Sequence, residues 1–560
     1  MTADLVIRGA RVVDGSGSDE YTADVEVRAG RISRIGRIGE EALQQIDADG
    51  LVLTPGFVDI HTHYDAQLMF EPSCSPSSWH GVTTVVTGNC GFSLAPAKPQ
   101  DLDFLLQSLA RVEGMSTASL AAGVDFAGGS MGDFLDRFEG RIGVNVVQLV
   151  GHCAVRRWVM GDDASTRIAT VAEISAMTEV LERALGDGGY GFSSSQLDVH
   201  ADHEGRPVPS NLASPEELVA LSQVLARYPG SVIEFTPNTS LPGYSDVDRQ
   251  LVCDMARASG SPVNVNMIDW FPGFTDGWQR NLTVIEEANQ DGLRVYPMLR
   301  ANPQDMFFCF ADTFIFDDVP SIRDALVLSG TERDRVLRDT ALRDVMRHEL
   351  ATIRRSVNFD WDRITVAATA LEVNRHLDGV PAAALAQARG NDVLDAVLDL
   401  ALDEDLATVF RIDRQQGPAH VEFRKRMAQH PLLMAGASDA GAHLQTFCGA
   451  DYPTRVLKDL VPDPLTLEQA VYKLTGQPAA MLGLVDRGVI REGAHADLVL
   501  FDPARLGVVS TRFLDDFPTG ARRLVHEPSG YDAVIVNGTT IMRDGKPTGQ
   551  LPGTVLHRRA

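Results

Sequence analysis

Residues of the types that bind metal ions follow two short apolar segments in the first part of the chain. His61 and His63 come directly after residues 55–60, PGFVDI. Side chains two residues apart on an extended chain point to the same side, so both imidazoles can reach one ion. Cys90 lies in the sequence Gly-Asn-Cys-Gly at the end of residues 82–88. The pattern indicates metal-assisted chemistry, although a cysteine alone also suits an apolar core position.

Two further polar residues follow apolar segments in the same way. His152 comes directly after residues 143–151, and Asp439 follows Ser438 at the end of residues 431–438. An aspartate facing two histidines suits a metal ligand and proton carrier, whereas on its own it also suits a helix N-cap. For His152, a contact to metal or substrate and a structural role both remain open.

Short apolar segments alternate with helix-length segments through the middle of the chain. Residues 171–188 and 214–228 have helical patterns, and Ser214 with Pro215 forms a good helix start. This alternation predicts parallel strands with crossover helices, and eight units predict a (β/α)₈ TIM barrel. The eight predicted barrel strands are 55–60, 82–88, 143–151, 189–194, 231–236, 261–267, 293–298 and 431–438. Active sites of such barrels lie at the carboxyl ends of the strands, where the polar residues above would meet.

The remaining segments predict two additions to the barrel. Residues of about 300–430 are rich in helical and charged sequence, which predicts a helical insertion between the seventh and eighth barrel strands. Both chain ends contain alternating apolar residues and turn glycines, which predict β-hairpins. We therefore expect a small β-sandwich domain formed by residues 1–54 and 480–560, and a catalytic barrel over residues 55–479.

Composition narrows the class of protein. The formal net charge of −26 argues against binding to nucleic acid or to anionic lipid. No apolar run reaches the ~18 residues needed to span a bilayer, and the first residues do not resemble a signal peptide. Six cysteines in 560 residues are too few for a disulfide scaffold. We expect a cytoplasmic enzyme with a small-molecule substrate and no nucleic-acid or membrane partner, and a homo-oligomer is left open.

Several motifs together resemble one protein family. PGFVDIHTHYDAQ, GVTTVVTGNCGFSLAP, GHCAVR, SDAGAHL and ADLVLFDP are similar to the amidohydrolase superfamily, and more closely to its N-acyl-D-amino-acid deacylase (D-aminoacylase) branch. The resemblance implies a metal-dependent hydrolase that usually uses zinc. It further implies that His61 and His63 hold one metal, that Cys90 holds or bridges to another, and that Asp439 is a ligand and proton carrier.

The chain departs from this family at the fifth and sixth predicted strands. The family has a histidine at the end of each, whereas this chain has Glu234 in the fifth segment and Met267 near the end of the sixth. Methionine is a poor zinc ligand compared with imidazole or carboxylate. The second metal site is therefore either lost or rebuilt with Glu234, which otherwise hydrogen-bonds a neighbour. We expect one zinc ion, with a second left open.

The resemblance also suggests a reaction. A metal-activated water would attack an amide, with Asp439 as general base and then general acid. His152 is a candidate donor to the oxyanion. Arg156, ranked first, and Arg300 are candidates to bind a substrate carboxylate, although either could be a salt-bridge partner instead. We expect hydrolysis of an N-acyl-D-amino acid; the alternatives are hydrolysis of a cyclic amide or other C–N bond, and a catalytically dead binding protein.

Overall fold

A computed structural model describes residues 2–558, except 199, 241, 271–275, 302–304, 312, 314, 317, 354–358 and 415–416. The strands are β1 Ala3–Val12, β2 Tyr21–Arg28, β3 Arg31–Gly36, β4 Ala42–Asp47, β5 Val52–Pro55, β6 Phe57–Asp59, β7 Val82–Thr87, β8 Asn145–Gly151, β9 Gly191–Ser195, β10 Ile233–Thr236, β11 Val263–Ile268, β12 Val295–Arg300, β13 Met306–Phe308, β14 Ile364–Ala368, β15 Val409–Ile412, β16 Met434–Gly436, β17 Leu498–Phe501, β18 Gly507–Phe517, β19 Ala521–Ser529, β20 Tyr531–Val536, β21 Thr539–Arg543 and β22 Lys546–Pro547.

The helices are α1 Leu102–Glu113, α2 Thr117–Gly123, α3 Met131–Leu135, α4 His152–Met160, α5 Val171–Gly186, α6 Pro215–Val224, α7 Asp246–Ser259, α8 Gly277–Gln290, α9 Pro320–Leu326, α10 Gly330–Leu337, α11 Thr340–Thr352, α12 Ala382–Arg389, α13 Val393–Asp403, α14 Pro418–Ala428, α15 Tyr452–Asp459, α16 Leu467–Leu474 and α17 Gly476–Met481. The two helices predicted at 171–188 and 214–228 correspond to α5 and α6. Ser214 caps α6 by accepting the backbone N–H of Glu217, as the sequence predicted.

Eight parallel strands form the predicted barrel sheet. Their order is β6, β7, β8, β9, β10, β11, β12 and β16, and each lies within or beside one of the eight predicted segments. Side chains such as Val58, Val147 and Met298 pack in its interior and are almost fully buried. The α/β class and the eight-stranded barrel are confirmed.

The first and last barrel strands meet just beyond their carboxyl ends. Thr62 forms a parallel bridge with Ala440, and the backbone N–H of His63 donates to the carbonyl of Ala440 at 2.8 Å. The contact that closes the barrel thereby brings the His61–His63 segment beside Asp439.

Strands from both chain ends pair in one sheet. Its nine strands are β1–β5, β17 and β20–β22, with β5 antiparallel to β17 at the centre. The hairpin β18–β19 forms a separate two-stranded sheet. The tail also reaches the barrel, because the Val146 N–H donates to the Thr554 carbonyl at 3.0 Å. Both chain ends therefore contribute strands to one mixed sheet of nine strands. The β18–β19 hairpin is not part of that sheet.

Residues Pro303–Gln416 with Gln445–Phe447 form a second compact unit. Helices α9–α13 and the antiparallel strands β13, β15 and β14 enclose its own apolar core, which includes Phe308, Phe316 and Phe410. The sequence predicts a helical insertion in this region, and the structure has three short strands beside the helices. The three strands are only three to five residues long, so their apolar runs do not stand out in the sequence.

Within the described residues, the structure has no helix that combines the length and apolar character needed to cross a membrane.

Candidate metal centre

His61, His63 and Cys90 lie together at the carboxyl end of the barrel. One ligand-type atom from each falls within 4.8 Å of the other two, and all three side chains are buried. The Cys90 sulfur is 3.5 Å from Nε2 of His61. Two imidazoles and a thiol at this spacing are a donor set typical of zinc.

Asp439 lies next to both histidines. Its Oδ1 is 3.2 Å from Nε2 of His61 and 3.9 Å from Nε2 of His63. Ser438 holds this segment against the first strand, since its hydroxyl lies 2.7 Å from the Asp59 carboxylate and 3.0 Å from the His61 carbonyl. The Asp439 side chain is 16% exposed, so its carboxylate is accessible to a small molecule as well as to the histidines.

A tight turn after β7 presents the cysteine. Cys90 has a left-handed backbone, with φ of 54°, between Gly88 and Gly91, which are also left-handed. Asn89 ties the turn to the first strand, because its side-chain amide donates to the Thr62 carbonyl at 3.0 Å. Ser193 of β9 bonds both ends of the turn, donating to the Gly88 carbonyl and accepting from the Gly91 N–H. These three hydrogen bonds thus fix the turn and, with it, the direction of the thiol.

The ionisable groups of the cluster have shifted pKa values. Burial, with the charge of Glu234 adding to it, raises the pKa of Cys90 to about 12. Burial raises the pKa of Glu234 to about 7, against the opposing charge of His61. Burial and the neighbouring His61 lower the pKa of His63 to about 3. Burial also acts to raise the pKa of Asp439, but the hydrogen bond and charge of His61 outweigh it and hold that pKa well below its ordinary value.

These residues fit a divalent cation. Burial would keep the Cys90 thiol protonated, and a cation bound among these residues favours its ionised form. His61 and His63 direct Nε2 toward the same space beside Cys90 and Asp439. The chemistry of the donors and their burial therefore both suit a bound metal ion.

The ends of β10 and β11 also reach the cysteine. The Thr236 hydroxyl is 3.9 Å and the Asn266 amide nitrogen 4.0 Å from the Cys90 sulfur. The sequence places Met267 near the position of the family histidine, but Asn266 is the residue that faces Cys90. Pairing between β11 and β12 is irregular between Val265 and Ile268, which changes the register of side chains at this strand end.

Glu234 contacts the backbone of Cys90 and the Nδ1 side of His61. Its Oε2 accepts the backbone N–H of Cys90 at 2.7 Å, and its Oε1 is 3.8 Å from Nδ1 of His61. The carboxylate therefore faces Nδ1 of His61, whereas the Cys90 sulfur and Asp439 lie at Nε2.

His152 and Arg156 belong to a separate buried group on α4. Both bind Glu217 of α6: Nε2 of His152 lies 2.8 Å from Oε1, and Arg156 donates to the same oxygen at 2.6 Å. All three side chains have 0% exposure. Nδ1 of His152 is 2.9 Å from the Ser194 hydroxyl. Neither His152 nor Arg156 belongs to the group of His61, His63 and Cys90 among the described residues.

Arg300 lies at the end of β12, closer to the cluster. Its guanidinium is 3.4 Å from Asp269 and donates to the sulfur of Met267 at 3.1 Å. It is 14% exposed, and its charge acts on His443, whose own pKa is lowered first by burial. Of the two arginines, Arg300 is the one that contacts residues at the end of β11.

Glu113 is a site residue that the sequence analysis missed. It is the last residue of α1, and its Oε1 is 3.4 Å from Nδ1 of His63. A signal for it exists in the sequence, since Glu113 continues the apolar stripe of Leu102, Leu105 and Leu109 along the helix. An acidic residue on a buried helix face is unusual and points to a polar partner inside.

The chain is similar to known proteins over most of its length. The profile of the amidohydrolase family matches residues 44–542. N-acyl-D-aspartate deacylase of Alcaligenes xylosoxydans xylosoxydans is 29% identical over 574 residues, covering 99% of this chain and 95% of that protein.

Two solved structures are similar along their full length. One is D-aminoacylase, with a binuclear metal centre described as showing one-metal activation and second-metal attenuation; it is 28% identical with a TM-score of 0.66, and the match covers 99% of this chain and 100% of that chain. The other is N-acyl-D-glutamate deacylase from Bordetella bronchiseptica, in complex with zinc and a phosphonate mimic of the tetrahedral intermediate. It is 25% identical with a TM-score of 0.64, and both chains are covered completely. The chain is therefore an enzyme of the amidohydrolase family.

Proposed function

We propose that this enzyme hydrolyses the amide bond of an N-acyl-D-amino acid to a carboxylate and a free amino acid. The observation that carries the proposal is the buried group of His61, His63 and Cys90 with Asp439 3.2 Å from the nearer histidine. The similarity to deacylases of N-acyl-D-aspartate and N-acyl-D-glutamate supports this substrate class.

We further propose that His61, His63, Cys90 and Asp439 hold one zinc ion. When bound, zinc supplies Lewis-acid activation of the amide carbonyl and of a water molecule. Support for one ion comes from Thr236 and Asn266, since a hydroxyl and an amide stand near Cys90 where the resemblance implies two histidines. Such neutral groups are weaker zinc ligands than imidazole.

Asp439 is the proposed proton carrier. A carboxylate beside a bound cation is ionised near neutral pH, so Asp439 can accept the proton of the attacking water. The same carboxyl group then donates this proton to the amide nitrogen, which leaves as a neutral amine when the C–N bond breaks.

Arg300 is the proposed partner of the substrate carboxylate. A guanidinium matches a carboxylate with two parallel hydrogen bonds. Its place at the end of β12 and its partial exposure support this role. His152 and Arg156 are fully buried against Glu217, whereas Arg300 is 14% exposed, so the geometry favours Arg300 over them.

The remaining proposals concern organisation and location. We propose that the barrel of residues 55–479 carries the reaction, that residues 1–54 and 480–560 form a supporting β domain, and that the second compact unit is an insertion between β12 and β16. A cytoplasmic location and the oligomeric state stay predictions.

Substitution of Asp439 by Asn tests the assignment. The amide keeps the shape of the side chain but cannot carry the proton, so we expect kcat for an N-acyl-D-amino acid to fall by at least ~100-fold. Purified protein would be assayed on a panel of N-acyl-D-amino acids, their L enantiomers and cyclic amides, with zinc content measured in parallel. Asp463→Asn, at a position whose side chain is 78% exposed, is the control.

The panel separates the alternatives. Unchanged hydrolysis by the Asp439→Asn protein would refute the role of Asp439. Preference for cyclic amides would replace the proposed substrate class. Inactivity of the zinc-loaded protein on every compound would favour a binding protein.

A further inference from the structure

The two histidines of the metal centre each present two ring nitrogens to different surroundings. Both Nε2 atoms face Asp439. Nδ1 of His63 faces Glu113 at 3.4 Å, and Nδ1 of His61 faces Glu234 at 3.8 Å. Both Nδ1 atoms are buried, and neither has a hydrogen-bond partner among the residues that the structure describes. Each imidazole therefore has one buried carboxylate opposite its Nδ1 atom.

Glu113 reaches this position because α1 ends against the loop after β16. The carbonyl of Glu113 accepts the backbone N–H of His443. Gly114 follows in a left-handed conformation, and a Cβ there would lie 3.4 Å from the His443 Cα. The helix end thus fits closely against the segment that carries Asp439, while the Glu113 side chain extends to His63. One residue connects the loops after the first and last barrel strands.

Glu234 reaches its position from β10. Its Oε2 holds the backbone of Cys90, and the Thr236 hydroxyl is 3.4 Å from its Oε1. With Oε2 bonded to the backbone, Oε1 is the oxygen that faces His61. Glu234 therefore contacts two of the proposed ligands, His61 at Nδ1 and Cys90 at its backbone N–H.

We propose that Glu113 and Glu234 are positioning residues that accept the Nδ1–H of His63 and His61 respectively, leaving both Nε2 atoms as metal donors. The inference rests on the metal assignment of the proposed function and is independent of its substrate. It changes the expectation for Glu234, which positions the ligands from outside the metal's coordination sphere.

The chemistry of imidazole explains why such partners matter. A neutral imidazole has one N–H and one lone pair, and only the nitrogen with the lone pair can bind a metal. A carboxylate that accepts the Nδ1–H selects the tautomer with Nε2 available, fixes the ring orientation and raises the basicity of the ligand. Loss of such a partner typically weakens metal binding by about 10- to 100-fold.

The test is the zinc affinity of the Glu113→Gln protein. Glutamine keeps the size of the side chain and removes its charge, and Oε1 of Glu113 lies 3.4 Å from Nδ1 of His63. Zinc affinity of the full chain would be measured by competition with a chelator, and the unfolding temperature of the metal-free protein would be measured alongside. We expect an affinity lower by about 10-fold or more, with little change in the metal-free unfolding temperature. Glu234→Gln should lower the affinity as well.

A matched control and the visible spectrum of the cobalt-substituted protein separate positioning from other roles. Glu404→Gln removes another buried carboxylate, which accepts hydrogen bonds from Ala370, Leu371, Asn374 and Thr408, and should leave zinc affinity unchanged. If Glu113 positions His63, Glu113→Gln keeps the wild-type cobalt absorption bands. Zinc affinity within twofold of wild type would overturn the proposal, and so would altered bands that report the loss of a direct ligand. Because no substrate is used, these results do not depend on the proposed deacylase activity.

Discussion

Nε2 of His61 and His63 and the sulfur of Cys90 face one small buried space, while Arg300 stands at a neighbouring strand end. At the scale of single residues, this arrangement separates the groups that act on a metal from the group that would bind an anionic substrate. The chain has a net charge of −26, which disfavours an anion at long range. A local cation is therefore needed for an acyl amino acid, and Arg300 is placed to supply it.

Replacing Arg300 by Met should raise KM for substrates with a free carboxylate. Loss of a charged hydrogen bond of about 1.5–3 kcal/mol predicts a fall in kcat/KM of roughly 10- to 100-fold. The methyl ester of the same substrate lacks the carboxylate, so its kcat/KM should change much less. Steady-state kinetics on the acid and ester pair would measure the difference.

Arg294→Met is the matched control, because Arg294 directly precedes β12 and Arg300 ends it. Arg294 donates to the Gly260 carbonyl at 2.5 Å, and its loss should leave the acid-to-ester ratio unchanged. Equal losses on acid and ester in the Arg300 variant would show that Arg300 does not recognise the carboxylate.

At the scale of elements, the turn after β7 determines where the thiol points. Gly88 adopts φ of 77°, and a Cβ on this residue would lie only 2.4 Å from the Leu149 carbonyl oxygen. Both the backbone conformation and the packing therefore require glycine. The hydrogen bonds from Ser193 to both ends of the turn then join it to β9.

Gly88→Ala should destabilise the protein and displace Cys90. A left-handed alanine costs about 1–2 kcal/mol, and the clash with β8 adds roughly 1–3 kcal/mol. Gly260→Ala is the control, since Gly260 is also left-handed but a Cβ there meets open space. Urea unfolding should show the larger loss for Gly88→Ala, and only this variant should also bind zinc more weakly. Equal losses for the two variants would contradict the packing argument.

At the scale of the whole molecule, buried polar side chains join segments that are far apart in sequence. His80, just before β7, is buried with Nδ1 2.7 Å from the Thr454 hydroxyl and Nε2 2.9 Å from the His526 carbonyl. Burial lowers the pKa of His80 to about 4. The folded protein therefore holds this imidazole neutral between α15 and β19.

The stability of the fold should consequently depend on pH through His80. An unfolded histidine has a pKa of about 6.5. As the pH falls, the unfolded chain therefore binds a proton at this histidine before the folded chain does. The contribution of neutral His80 to the free energy of unfolding is complete above about pH 6.5 and is lost as the pH falls toward 4. A difference of one bound proton changes the free energy of unfolding by at most about 1.4 kcal/mol per pH unit. His80→Gln, which cannot titrate, should flatten the dependence of the unfolding free energy on pH in this window.

Denaturant unfolding at several pH values, with each protein in the same metal state, would measure the slopes. His376→Gln removes an exposed histidine and should keep the wild-type slope. A wild-type slope in the His80 variant would show that the buried imidazole does not couple folding to protons.

The sequence by itself determined the barrel and most of the candidate ligands. Apolar strands followed by polar residues recur along the chain. Because the carboxyl ends of barrel strands share one face, this pattern alone places His61, Cys90 and Asp439 together. The alternation of strand and helix is a local signal, so it can be detected in the sequence before folding is known.

Tertiary structure decided the features that depend on contacts between distant segments. Glu113 approaches His63 only because α1 packs against the loop after β16. Asn266, rather than Met267, faces Cys90 because the pairing of β11 is irregular, and Arg156 is engaged by Glu217 from another helix. Charge and spacing describe what a side chain is able to do, whereas its partner is fixed by packing, and packing joins residues that the sequence keeps far apart.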